Sequence, residues 1–368
     1  MPYAGQKEYT MKIAVIGCGY WGPNLVRNFV QSNKVRELIC CDLDSKRLAR
    51  MKSLYPSVTV LTDYKELLEV PDLDAVAVAT PVKTHYPIAK EFLTRGKSVF
   101  VEKPFTHSYE TALELVNLAD EKKLALMVGH TFEYTAAVNK IREIVENGEL
   151  GKILYISCIR VNLGLFQPDI NVVWDLAPHD ISVILYILGE TPVSVNSQGQ
   201  AHFKPGIEDV ATTTLNFKNG VIAFIHNSWL DPNKIRKTTI VGTKKMLVYD
   251  DIENQEKIKI YDKGVDVPPY YDTFAEFQLA YRYGDIHSPR IEDYEPLRKM
   301  CDHFLDCIKD GRPPHSDGYN GLRVVSILEA ASRSLKQAGK AVPIQGLKSS
   351  KRLSRNNGHG VAVVNGWR

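Results

Sequence analysis

The chain has 368 residues, enough for two domains of ordinary size. Hydrophobic residues make up 44% and charged residues 24%, the balance of a chain that buries substantial cores. The net charge of +3 is too near balance to imply nucleic acid. No apolar run approaches the roughly 20 residues of a membrane helix, and residues 1–10 lack the apolar core of a secretory signal. The expectation is a cytoplasmic protein with neither a nucleic-acid nor a membrane partner.

Short apolar runs punctuate the first part of the chain at 12–16, 37–41, 75–79, 98–101 and 124–128. Helical patterns fit between them, for example at 84–95 and 108–122. Continuous Val- and Ile-rich runs suit strands buried on both faces of a parallel sheet. Strand–helix alternation then predicts a doubly wound α/β domain over 11–130.

After about residue 150 the pattern changes. A β-branched run at 152–161 predicts a long strand, and a helix follows near 178–188. Strands are expected at 212–217, 221–229, 235–241, 245–249 and 257–261. Asn219-Gly220 supplies the clearest hairpin turn. Crossovers are rare here, which predicts an α+β domain over 131–343 with a mainly antiparallel open sheet. Late helices at 295–309 and 318–338 close the fold, either within this domain or against the first. An open sheet needs cover for its second face, so a homodimer or homotetramer is expected. Residues 1–10 and 344–368 read as flexible ends, the second carrying the basic set Lys348, Lys351, Arg352 and Arg355. The six cysteines form no C-x-x-C and no zinc spacing, so they read as reduced small hydrophobes, and no metal is expected.

The first strand runs into Gly17-Cys18-Gly19-Tyr20-Trp21-Gly22, a G-x-G-x-x-G. Gly17 permits a tight turn, Gly19 lets backbone approach a pyrophosphate, and Gly22 lets helix and strand pack closely. Asp42 ends the second strand, where a carboxylate accepts hydrogen bonds from ribose hydroxyls and repels a 2′-phosphate. No Arg immediately follows it, so NAD is expected rather than NADP. The backbone at Thr80-Pro81 should pass the cofactor. His85 either faces the nicotinamide or caps its helix.

Strand 98–101 ends in Glu102-Lys103-Pro104, at the sheet edge where such folds bind ligands. Further on, Trp174-Asp175-Leu176-Ala177-Pro178-His179-Asp180 puts Asp175 and His179 four apart, on one side of a helical turn. Asp175 is alternatively a helix N-cap.

These three motifs, in this order, resemble the glucose-fructose oxidoreductase, inositol dehydrogenase and MocA-type family over about residues 11–343. The resemblance implies a Rossmann domain followed by an α/β domain whose open sheet mediates assembly. It implies an NAD-dependent dehydrogenase acting on a secondary hydroxyl of a sugar, polyol or nucleotide sugar. His179 would take the hydroxyl proton and Lys103 would stabilise the developing alkoxide, or the two would exchange roles. Asp175 would orient the imidazole or bind a neighbouring hydroxyl. His130 stands where many relatives carry Asn.

One pocket wall should run from Arg160 to Trp174, with Asn162, Phe166 and Gln167. The cluster Lys234, Arg236 and Lys237 either holds a diphosphate or forms a solvated turn. The stretches 130–134 and 174–180 are similar to a subgroup associated with surface polysaccharides, the UDP-N-acetylglucosamine and UDP-N-acetylglucosaminuronate 3-dehydrogenases. Other readings remain open: a free-sugar or inositol dehydrogenase, a non-catalytic NAD-binding sensor, or a redox-assisted glycosidase that yields no net NADH.

Overall fold

The computed structural model describes residues 10–266 and 280–344. The first part alternates β1 (Met11–Ile16), α1 (Gly22–Val30), β2 (Val35–Cys41), α2 (Ser45–Leu54), β3 (Thr59–Leu61), β4 (Ala75–Val78), α3 (Val82–Thr94), β5 (Ser98–Val101), α4 (Tyr109–Lys122) and β6 (Leu126–Val128). The six strands are parallel, in the order β3-β2-β1-β4-β5-β6. Every residue of β4, β5 and β6 is buried, as the continuous apolar runs require. Side-chain caps start α2 and α4. Asp44 accepts from the Lys46 amide at the head of α2, and Ser108 from the Thr111 amide at the head of α4. Sequence periodicity passed over β3, a three-residue strand at the sheet edge with no fully buried residue.

A single 3₁₀ turn, Thr131–Tyr134, leads to α5 (Ala136–Glu146), β7 (Ile153–Val161), α6 (Val172–Leu188) and β8 (Ser194–Gln200). Then come β9 (Val210–Asn216), β10 (Ile222–Ser228), β11 (Ile235–Gly242), β12 (Met246–Asp250), β13 (Ile258–Asp266) and β14 (Ala280–His287). Helices α7 (Pro296–Asp310) and α8 (Gly318–Lys336) and the short β15 (Val342–Pro343) follow. The second sheet has nine strands in the order β14-β13-β12-β11-β7-β10-β9-β8-β15. It is antiparallel except where β7 and β10 pair in parallel. Asn219-Gly220 turns β9 into β10, with Gly220 at φ 86°.

Helices α5, α6 and α8 cover one face of this sheet and share its core. The opposite face is open to solvent and carries Tyr155, Ile222 and Phe224. The helix expected near 178–188 begins earlier, at Val172. Asn171 caps it by accepting from the Trp174 amide at 3.1 Å, and Pro178 lies inside it. Asp175 is therefore not the cap but sits in the helix's first turn.

Helix α7 packs away from the second sheet. Leu297, Met300, Cys301, Phe304 and Leu305 share one core with Ile13, Leu25, Phe29 and Phe100 of the first. Phe304 meets Phe100 edge-on with centroids 5.9 Å apart. All six cysteines are buried and unbonded. No described helix is long and apolar enough to cross a membrane. The expectations for residues 1–9 and 345–368 lie outside the described residues.

Phe304→Ala should cost about 3–5 kcal/mol, the toll of emptying a buried aromatic site. Denaturant unfolding measures it, and a loss under 1 kcal/mol would place α7 outside the first core.

Candidate active site

The carboxyl ends of β1, β4, β5 and β6 meet along one edge of the parallel sheet, where doubly wound folds bind ligands. Gly17, after β1, has φ 96°, and a Cβ there would lie 2.7 Å from the Ala79 carbonyl. A Cβ on Gly22 would come within 1.8 Å of the Gly17 oxygen. A Cβ on Gly19 would meet only the movable Arg47 guanidinium, at 3.3 Å. No side chain caps α1, so its first N–H groups point at this loop unclaimed by a cap. Tyr20 is fully exposed above the loop, and Trp21 is partly so. This cradle fits a dinucleotide.

Asp42 closes the cradle from the end of β2. Its Oδ2 accepts from the Cys18 amide at 2.7 Å and its Oδ1 from the Asp44 amide at 2.8 Å. Arg47, one helical turn into α2, reaches back to 3.5 Å from Asp42. Sequence reasoning looked for an Arg directly after Asp42 and missed this one. Thr80 is half-buried and Pro81 exposed at the end of β4.

His85 is turned into the interior. It is 1% exposed, with Nδ1 2.9 Å from the Pro104 oxygen and Nε2 2.7 Å from the Thr80 oxygen. Burial lowers its pKa, and a neutral ring donates to one of these carbonyls. His85 thus staples the β4 loop to the loop after β5.

Glu102 is buried beside Trp21, and burial pushes its carboxyl up to about 7. Its Oε2 accepts from the Lys103 amide at 3.2 Å. Gly129 leaves it room, since a Cβ there would lie 2.7 Å from Oε2. His130 is buried at the end of β6.

Lys103 crosses from the first sheet to α6. Its Nζ lies 2.9 Å from the Asp175 carbonyl and 3.4 Å from Asp175 Oδ1. Pro178 explains part of this. It has no N–H for the carbonyl four residues back, which loosens the helix beside the carbonyl that Lys103 takes. Trp229 donates its indole N–H to Asp175 Oδ2 at 3.1 Å. Sequence reasoning placed Trp229 at a strand end but had no signal for a partner 54 positions away.

His179 lies one turn along α6, on the same side as Asp175. The Phe132 ring meets it edge-on at 5.0 Å. Its pKa falls well below the ordinary histidine value. Burial is the main cause, and the positive charges of Lys103, Arg160 and Arg236 add to it. The ring is therefore neutral at neutral pH, the form able to accept a proton.

The expected pocket wall is partly corrected. Arg160 turns inward and binds Asp180 through Nε at 3.0 and 3.1 Å and NH2 at 2.9 Å. It also stacks on Phe132 at 4.7 Å, so it backs the site. Trp174 spends its indole N–H on Ser332 of α8 at 2.8 Å, locking two helices together. Asn162 and Gln167 stay half-buried on the loop after β7. Phe166, on that loop, meets the exposed Phe203 edge-on and Trp229 at a tilt.

The basic cluster does not act as one. Neighbours on a strand point to opposite faces. Arg236 is in register with Arg160, on the covered face, pairs with Asp251 at 3.5 Å, and its charge adds to the lowering of the His179 pKa. Lys237 faces the other way and pairs with Asp250 at 3.4 Å. Lys234 is exposed in the preceding turn.

A glycine cradle at the switch point of a parallel sheet, facing a lysine, a carboxylate and a neutral histidine, defines an NAD-binding oxidoreductase. Residues 11–130 match an oxidoreductase family with an NAD-binding Rossmann fold, and residues 138–248 match the GFO/IDH/MocA C-terminal domain. The chain belongs to the GFO/IDH/MocA oxidoreductase family, whose members include sugar and inositol dehydrogenases. It is 27% identical to UDP-N-acetylglucosamine 3-dehydrogenase of Acidithiobacillus ferrooxidans, over 86% of this chain and 94% of that one. It is 26% identical to myo-inositol 2-dehydrogenase of Thermotoga maritima, over 89% and 97%. A solved structure of the Acidithiobacillus enzyme superposes with a TM-score of 0.73 and 24% identity, covering 89% of this chain and 99% of that one.

Asp42→Ala would leave Arg47 as the charged group at the adenosine end of the cradle. NADP(H) binding should then gain on NAD(H) by about tenfold, or ~1.4 kcal/mol, in calorimetry. An unchanged ratio would remove Asp42 from cofactor discrimination.

Proposed function

We propose that this chain oxidises a UDP-linked amino sugar, or its uronate, at C3. The observation that carries this reading is Arg236, on the covered face of the second sheet in register with Arg160, its side chain 39% exposed and 3.5 Å from Asp251. A cation there suits the diphosphate of a nucleotide sugar. The resemblance to UDP-N-acetylglucosamine 3-dehydrogenase over most of both chains supports the same substrate class. A ring-hydroxyl oxidation of inositol is the second reading, supported by the similarity to myo-inositol 2-dehydrogenase.

In this reading NAD, when bound, would supply the hydride acceptor. Glycines 17, 19 and 22, the head of α1, Asp42, Tyr20, Trp21, Thr80, Pro81 and Glu102 line its place. His179, neutral and buried, takes the proton from the sugar hydroxyl. The Lys103 ammonium donates to the same oxygen and stabilises charge as it develops. Asp175 holds Lys103 through its carbonyl and one carboxylate oxygen, while Trp229 holds the other oxygen. Asn162 and Gln167 offer amides to sugar hydroxyls.

Lys103→Ala and His179→Ala should each lower kcat by about 10² or more while NAD still binds. The pH profile carries a sign. A base whose pKa is depressed is active above that value and fails as pH falls through it. The acid limb of kcat/KM should therefore lie below 6.5, the ordinary histidine value, and a limb above it would remove His179 as the base.

Arg236→Ala should raise KM for UDP-N-acetylglucosamine by about 10-fold or more, with a smaller change in kcat, because the diphosphate is remote from the reacting carbon. Turnover of myo-inositol with none of any UDP-sugar would sink the substrate assignment and leave the oxidoreductase assignment intact.

The open face of the nine-stranded sheet, with Tyr155, Ile222 and Phe224 on neighbouring β7 and β10, suits burial against a second copy. Light scattering at micromolar concentration should give a dimer or tetramer mass, and a monomer would end this part of the proposal.

A further inference from the structure

The 3₁₀ turn Thr131–Tyr134 joins the last strand of the parallel sheet to α5, and its side chains diverge. Tyr134 enters the core of the first sheet and is 5% exposed. Phe132, two residues earlier, packs against the core of the second. Glu133, between them, accepts from the Asn320 side-chain amide of α8 at 3.1 Å. The turn is thus tied to both cores at once.

Tyr134 is anchored by its hydroxyl. Arg312 NH1 lies 3.0 Å from His303 Nε2, and His303 Nδ1 lies 3.1 Å from the Tyr134 oxygen. A guanidinium only donates, so Nε2 accepts and the His303 proton sits on Nδ1, facing Tyr134. That leaves the Tyr134 hydrogen for Ser316 Oγ at 3.3 Å, and the Ser316 hydrogen for the Val128 carbonyl at 2.8 Å. Every link then has one donor and one acceptor. The line needs a neutral His303, and burial with the adjacent Arg312 charge lowers its pKa to about 4.

The other end of the turn meets the site. The Arg160 guanidinium lies 4.7 Å from the Phe132 centroid, and the His179 ring lies 5.0 Å from it at an interplanar angle of 62°. Phe132 therefore covers part of the imidazole.

We propose that Tyr134 is a positioning residue: the hydrogen-bonded line Arg312–His303–Tyr134–Ser316 fixes the turn so that Phe132 covers His179. The inference rests on His179 as the base. Lys103, Arg160, Arg236 and His130 face the imidazole from other elements, and Asp175 lies one turn back on its own helix. Of these only His130 adjoins the turn. A displaced Phe132 would thus admit water to the ring and leave most of its charged neighbours in place. Water at the ring raises a pKa that burial has lowered.

The test is the pH profile of kcat/KM, with UDP-N-acetylglucosamine, or with myo-inositol if that is the compound oxidised. Tyr134→Phe removes the hydroxyl and keeps the ring. Its acid limb should move up towards 6.5, the ordinary histidine value. The loss on the acid side should be about tenfold, while NAD affinity by calorimetry matches the native value. Phe132→Leu should move the limb in the same way, and adding Tyr134→Phe to it should do no more. His303→Asn keeps a donor in the place of Nδ1 and should behave as native, whereas His303→Leu should match Tyr134→Phe and serves if that variant does not fold. A native profile in both Tyr134→Phe and His303→Leu would overturn the proposal. So would a full further loss when Tyr134→Phe is added to Phe132→Leu, or a His303→Asn variant as impaired as His303→Leu. His179→Ala separates the two ideas: if it keeps its kcat, the base assignment fails, whereas a native Tyr134→Phe profile beside an inactive His179→Ala ends the positioning role alone.

Discussion

The site depends on one contact between two sheets. Lys103 ends a buried strand of the parallel sheet, and its ammonium rests on Asp175, in a helix that covers the other sheet. Neither sheet holds both groups. The contact fixes the distance between the cofactor cradle and the side chains that would meet a substrate. His85 steadies the lysine's loop from behind, and Trp229 steadies the carboxylate from the far side. A reaction that moves a hydride and a proton off neighbouring atoms needs such fixed geometry.

Burial supplies the second constraint. Lys103, Arg160 and Arg236 lie around His179, each paired with a carboxylate, Asp175, Asp180 and Asp251 respectively. Burial, with these cations adding to it, keeps the imidazole neutral, and the Lys103 ammonium favours an oxyanion over a neutral oxygen. Arg160 can remain charged in the interior because Asp180 takes up its guanidinium through three contacts. The cations are thus held on a framework of ion pairs.

Much of this was legible in the chain because the relevant signals are local. Glycine spacing, the strand before it and the acid after the next strand announce a dinucleotide cradle. The i, i+4 placement of Asp175 and His179 announces a shared helical face. What was not legible depends on long separations or on strand parity. Arg160, Trp174 and His85 look like ligand groups in sequence, but distant partners claim each of them: Asp180, Ser332, and the Thr80 and Pro104 carbonyls. The run Lys234–Lys237 looks like one patch, and alternation divides it. Asn171 outcompetes Pro178 as the marker of a helix start, because a side chain that satisfies an N-terminal amide decides where the first turn closes. His130 drew notice only as a departure from its relatives, and its unpaired burial is visible only in three dimensions.

The position of α7 has a consequence for how the chain is made. Its apolar side chains fill the core under β1 and α1, yet residues 297–305 leave the ribosome long after those elements do. The nascent first sheet must wait, with Ile13, Leu25 and Phe29 incompletely covered, while β7 to β14 of the second sheet are synthesised. Domains that finish early fold early, and this one finishes late. The interval leaves a sticky surface on a tethered chain, which is the circumstance in which a chaperone that shields apolar segments has most to do.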